Sequence, residues 1–340
     1  ALLIVAVFEL FLHTRDPMRL IAYASDEGQY HAVRDTIDAQ GPAEVALVGS
    51  SQMREGVIME TLQAELQKRL GRAVHVANYA TRGARLDAMA AVVQYLQKQP
   101  KPPQLIVVGL SPRDLRADTI DWPRVALFWD FSDWRAAYGQ AGWPVTDVLP
   151  VVIRNAAGRV LHTLRYREEI SLTLQRLFTP LGVVAREGGN PILGQLTDQH
   201  EGGRGLRSLA SSQRPIRRLL DRAKDSYLVK EPPAPRPAMA GSLRDLTHAL
   251  AADPTRGLLV QMPVAEHLQA FLDQAGQTAA FQAAVSAEAG ANGLMYIPVD
   301  QQGFRPTNDH FSDLQHHNRP GAEAYAGWLA NVIADRLSNP

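Results

Sequence analysis

The chain has 340 residues and a mass of 37.3 kDa, enough for one large α/β domain with an insertion or for two modest domains. Its 35 Lys and Arg balance 35 Asp and Glu, so no global charge points to nucleic acid or to an acidic partner. It has no cysteine, which excludes disulfides, thiolate metal sites and cysteine catalysis together and agrees with an exported protein that avoids thiols.

Residues 1–12 are apolar except for Glu9. A bilayer takes about 20 such residues. The run therefore reads either as the end of a signal-anchor helix, with residues 1–20 as anchor remnant and stalk, or as an ordinary buried helix.

Five short apolar runs follow, at residues 44–48, 74–77, 105–109, 258–264 and 294–299, each ending in turn residues. They read as buried parallel strands. Met59, Leu62, Leu66 and Leu70 form a helical stripe closed by Gly71. Leu86, Met89, Val92, Val93 and Leu96 form another, stopped by the proline-rich residues 100–103. Leu268, Phe271 and Leu272 continue the pattern after the fourth strand, and residues 322–337 make a closing helix. Strands alternating with helices predict a five-stranded parallel sheet between two helical layers, an α/β/α sandwich. Ligands of such sheets sit beyond the carboxyl ends of the strands.

Residues 120–255 break the alternation and predict a mostly helical cap inserted between core segments 21–119 and 256–340. Trp122, Trp129, Trp134 and Trp143 open it, and Ile170, Leu174 and Leu177 mark a helix. Residues 182–205 carry seven glycines and read as a mobile loop. Arg204, Arg207, Arg214, Arg217, Arg218, Arg222 and Lys224 form a basic run, either a solvated surface or a seat for an anionic polymer or membrane headgroups. Pro232, Pro233, Pro235 and Pro237 stiffen the return to the core.

Four segments carry residues suited to chemistry. Gly49-Ser50-Ser51 ends the first strand, where a turn exposes a side chain and aims backbone N–H groups at one place; alternatively a serine there caps a helix. Asn78 and Gly83 follow the second strand, with Gly83 able to bring its N–H close to a carbonyl oxygen and Asn78 to brace the loop, or with both serving as plain turn residues. Arg113 follows the third strand and can hold a carboxylate, phosphate or sugar oxygen, or pair with Asp114. Asp313 stands three residues before His316, close enough to fix that imidazole as a general base. His317 and His310 compete for the role, and the loop can also be read as a metal site or a polar helix cap.

In chain order these segments resemble the SGNH/GDSL hydrolase superfamily. Gly49-Ser50-Ser51 stands where the family has Gly-Asp-Ser, Gly83 where it has its second-block glycine, and Asp313 and His316 where it has Asp-x-x-His, followed by Asn318 and Gly321. The resemblance covers residues 43–115 and 256–338, not the cap. It implies that Ser51 is the nucleophile and an oxyanion N–H donor, with His316 as base, Asp313 as its orienting acid and Gly83 as a second donor. Two departures stand out: Ser50 replaces the family Asp, and Arg113 stands where the family presents an oxyanion Asn.

The apolar start, Met262-Pro263 after the fourth strand, and the 316–321 block look most like membrane-tethered members that serve polytopic acyltransferases in O-acylating exported polysaccharides or teichoic acids. That likeness implies a cofactor-free serine O-acyltransferase or acylesterase, anchored in the inner membrane and facing the periplasm or exterior. Its partners would be a glycan acceptor and an acyl donor delivered by a membrane acyltransferase, with no nucleic acid. The departures also admit a non-catalytic glycan-binding or scaffold protein of the same fold.

Overall fold

The computed structural model describes residues 25–130, 166–178, 216–227, 233–253 and 257–338, together with Glu9, Leu10, Leu209 and scattered positions between 132 and 163. The chain divides into two compact units, residues 1–40 with 122–199, and residues 41–121 with 200–340. The stretch 120–255 read as one insert is thus shared between them.

The larger unit holds the sheet. Strands β1 (Val45–Gly49), β2 (Val76–Asn78), β3 (Leu105–Leu110), β4 (Gly257–Gln261) and β5 (Met295–Ile297) are all parallel, in the order β2-β1-β3-β4-β5. The chain reverses its direction of winding between β1 and β3, the switch point at which open α/β sheets form a crevice. β1, β3 and β4 are buried throughout, which is why their sequences are continuously apolar. The edge strands have three residues each, shorter than their apolar runs. β4 stops at Gln261 rather than at 264, because Pro263 has no N–H to continue a ladder.

Side chains alternate across the sheet. Val45, Leu47, Leu105, Val107, Leu258 and Val260 share a core with Leu62 and Leu66 of helix Met59–Leu70 and with Tyr325, Leu329 and Ile333 of helix Arg319–Ser338. Helices Leu86–Gln97, Pro237–Ala251 and Gln277–Ala291 cover the other face, completing a three-layer α/β/α fold. Helix Met59–Leu70 shows the local logic. Its apolar residues recur at helical spacing, Glu60 opens it, Lys68 and Arg69 close it, and Gly71 ends it with φ of 66° and its N–H on the Gln67 carbonyl.

In the smaller unit, helix Asp26–Gln40 buries Tyr30, Val33 and Ile37. Tyr30 meets Phe128 edge to face at 6.3 Å, the Arg34 guanidinium donates to the Leu127 carbonyl, and Tyr166 donates to Asp35. The expected helix around Leu174 runs from Arg167 to Phe178. Glu9 accepts hydrogen bonds from the Thr163 N–H and hydroxyl at 3.0 and 2.6 Å. Among the described residues no helix is long and apolar enough to cross a membrane; apart from Glu9 and Leu10, residues 1–20 lie outside them. So do the glycine-rich residues 182–205, Trp134, Trp143, Arg204, Arg207 and Arg214.

Candidate active site

Every candidate residue belongs to the sheet unit; Asn78 is the last residue of β2, and the others follow the carboxyl end of a strand in sequence. β1 delivers Gly49 directly beside Gly109 of β3, and Ser50 is extended at φ −87° and ψ −166°. Ser51 then opens the short helix Ser51–Gly56, with Gln52 to Gly56 buried beneath it. Ser50 makes no side-chain cap bond to this helix, so the capping alternative for that serine is not what the structure shows. As the first helical residue, Ser51 has an N–H with no carbonyl of its own helix to serve.

The Ser51 hydroxyl is spent elsewhere. It lies 2.9 Å from Nε2 of His316, across 265 residues of sequence. Nδ1 of the same imidazole lies 3.0 and 2.9 Å from the two carboxylate oxygens of Asp313. A carboxylate only accepts, so Nδ1 carries the proton, and Nε2 is left to accept the serine hydroxyl hydrogen. Asp313 is itself held, because Oδ1 also accepts the N–H groups of Gln315 and His316 at 2.8 and 2.9 Å. The Ser51–His316–Asp313 line has the connectivity of a proton relay for acyl transfer.

Local geometry explains why the late loop can carry two members of this line. Phe311 and His317 form an antiparallel bridge, and the Ser312 N–H reaches the His316 carbonyl at 2.9 Å, closing a tight loop around Asp313 and His316. Asn318 fastens that loop to the last helix. Its amide nitrogen donates to the Asp309 carbonyl at 2.5 Å, and its side-chain oxygen accepts the Gly321 N–H at 3.0 Å. A β-carbon on Gly321 would fall 2.0 Å from the His310 carbonyl oxygen, so that position takes only glycine in this arrangement.

The three histidines of the loop go different ways. Nδ1 of His310 faces the N–H and hydroxyl of Thr307, each at 3.0 Å, capping a short turn. His317 is 1 % exposed and packs 4.6 Å from Phe311 and 5.4 Å from Tyr325. Burial, reinforced by the charges of His310 and His316, pushes its pKa down to about 3. Only His316 meets the serine.

Asn78 braces in two directions. Its amide donates to the Met53 and Arg54 carbonyls at 3.4 Å, and its oxygen accepts the Ala80 N–H at 3.1 Å. Gly83 turns the same loop with φ of 68°, a left-handed conformation that glycine adopts without penalty. Arg82 ties that loop to the serine helix through the buried Glu55 at 3.1 Å. Gln52 donates to the Gln315 carbonyl at 3.4 Å, joining the residue after the serine to the residue before the histidine. Neither Gln52 nor the Arg82–Glu55 pair was singled out in the sequence, since such contacts follow no spacing.

Past β3, Ser111 opens the turn Pro112–Leu115. Asp114 is turned back and buried, accepting the Ser111 N–H and hydroxyl at 2.7 and 3.1 Å. Burial pushes its pKa up to about 6 against the pull of those bonds and of the Arg113 charge. No ion pair joins Arg113 to Asp114, and Arg113 is exposed at the rim. No protein-family model matches this chain, and no curated protein matches it.

Proposed function

We propose that the chain is an SGNH-type serine O-acyltransferase or acylesterase acting on a cell-envelope or exported polysaccharide. One observation carries the reading: the Ser51 hydroxyl, the His316 ring and the Asp313 carboxylate stand in hydrogen-bonded line. His316 Nε2 takes the hydroxyl proton as Ser51 Oγ attacks the acyl carbonyl, while Asp313 stabilises the imidazolium. The N–H groups of Ser51 and Gly83 are assigned to the oxyanion. Collapse breaks the bond to the leaving oxygen, which receives the proton from His316 and leaves an acyl-Ser51 ester. Water or a sugar hydroxyl then gives its proton to His316 and attacks that ester; the second collapse breaks the bond to Ser51 Oγ, which takes the proton back from His316. The acyl donor is assigned to a membrane acyltransferase, with the protein anchored through its apolar N-terminus on the periplasmic or outer side of the membrane.

The test is labelling by a fluorophosphonate probe. Wild type is expected to react and Ser51→Ala to remain unlabelled, and Asp313→Asn is expected to slow ester turnover by about 10³–10⁴. Equal labelling of wild type and Ser51→Ala would overturn the proposal. One observation favours a second reading, a non-catalytic glycan-binding partner: Arg113 occupies the place of an oxyanion amide. Normal polymer acylation in cells carrying Ser51→Ala would support that second reading.

A further inference from the structure

We infer that Arg113 and Tyr227 form an oxyanion-recognition point beside the Ser51 relay, which selects substrates bearing a carboxylate or phosphate near the ester. The inference rests on the proposed acyl-transfer reading and specifies what that site takes. Gly49 and Gly109 are paired in the sheet, so the turns that follow them leave adjacent strands at one level. Ser51 lies two residues past the first glycine and Arg113 four past the second.

Among the described residues the Arg113 guanidinium makes no hydrogen bond or ion pair. The acids nearest to it in sequence are committed elsewhere. Asp114 faces Ser111, and Asp118 meets Arg236 at 3.1 Å. An exposed guanidinium offers a planar fork of donors matched to a carboxylate or phosphate.

Tyr227 supplies the second, independent observation. It follows helix Ile216–Ser226, and its ring packs with Val264, Leu268, Phe311 and Leu314, the last two flanking Asp313 in sequence. The side chain is 1 % exposed, and its hydroxyl has no hydrogen-bond partner. A buried hydroxyl left unmet is costly, and a native structure that keeps one invites a reason. The charged groups acting on it are Arg113, Asp114 and Asp313, which places it among the third-strand turn and the acid of the relay. Tyr227 thus carries a donor without an acceptor beside the loop that holds Asp313, and Arg113 carries another on the turn after the strand next to that of Ser51. Asp114 and Asp313 do not take that role, because the first is bonded to Ser111 and the second to His316.

The experiment uses three aryl acetates that differ at one ring position, carrying a carboxylate, a phosphate or the neutral methyl ester. Wild type is expected to show a kcat/KM at least tenfold higher for one or both anionic esters than for the neutral one. The two anionic arms tell carboxylate from phosphate. That ratio should fall towards one in Arg113→Gln, remain partly in Arg113→Lys, and fall at least threefold in Tyr227→Phe. The last variant should melt at or above the wild-type temperature, since it removes only an unpartnered hydroxyl. Equilibrium binding of the same esters to Ser51→Ala reads the recognition without turnover, and there Arg113→Gln should weaken only the anionic ligands, by tenfold or more.

A wild type without charge preference in both turnover and binding overturns the inference. So does a preference that survives Arg113→Gln. Equal loss on charged and neutral esters would make Arg113 a transition-state donor instead, and also overturns it. If the acyl-transfer reading alone is wrong, wild type shows no labelling and no turnover, while the charge-dependent binding and its loss in Arg113→Gln persist.

Discussion

Asp114 shows how one buried carboxyl group records its surroundings. It is fully enclosed at the end of β3, and two donors from Ser111 do not offset the loss of water, so its pKa rises to about 6. A carboxyl that binds its proton more tightly when folded stabilises the fold below its unfolded pKa of 3.8, and that contribution is lost as pH rises through about 6. Asp114→Asn keeps an oxygen for the Ser111 N–H but cannot ionise. It is expected to remove this fall in stability between about pH 4 and 6, measured as the urea midpoint of the variant against wild type across that range. An unchanged slope would show that the carboxyl does not carry its charge into the interior.

At the level of elements, the loop from Phe311 to Asn318 and the helix Arg319–Ser338 behave as one piece, because Asn318 bonds forward to Gly321 and back to Asp309. Gly321→Ala would set a methyl group 2.0 Å from a backbone oxygen, which no side-chain rotation relieves. We expect a loss of roughly 3 kcal/mol in stability, together with slower probe labelling of Ser51 as His316 is displaced. Urea unfolding and labelling rates check the two effects separately. The parts of the fold that were legible in the sequence are those whose burial is complete. β1 and β3 read clearly because both their faces are covered, and Met59–Leu70 because stripe, charges and closing glycine agree. Helix Gln277–Ala291 did not, since its buried stripe of Phe281, Val285 and Ala289 is lost among alanines. In the site, the Asp313–His316 pair stood out by its three-residue spacing, whereas Ser51 was told from Ser50 only by the family resemblance. Tyr227 was not legible, because its neighbours are reached only through packing against Leu314 and Val264.

On the scale of the molecule, the acid limit of the sheet unit is set partly by His317. Its folded pKa is pushed down to about 3 from an ordinary 6.5, so the unfolded chain takes up a proton that the folded one refuses. The resulting stability is full above pH 6.5 and is lost as pH falls towards 3. Between about pH 4 and 6 it opposes the contribution of Asp114, and below that only the histidine slope remains. His317→Phe keeps a ring between Phe311 and Tyr325 and is expected to flatten the acid limb of the unfolding curve, followed by circular dichroism from pH 7 to 3. An acid limb identical to that of wild type would count against a neutral buried imidazole.

The 265-residue gap between the serine and its histidine carries a biosynthetic consequence. A nascent chain still lacking the 311–318 segment holds a hydroxyl with nothing to deprotonate it. On the proposed acyl-transfer reading, the serine gains its base only after the closing segment has docked, so a half-made or clipped polypeptide would lack the group that its reaction requires.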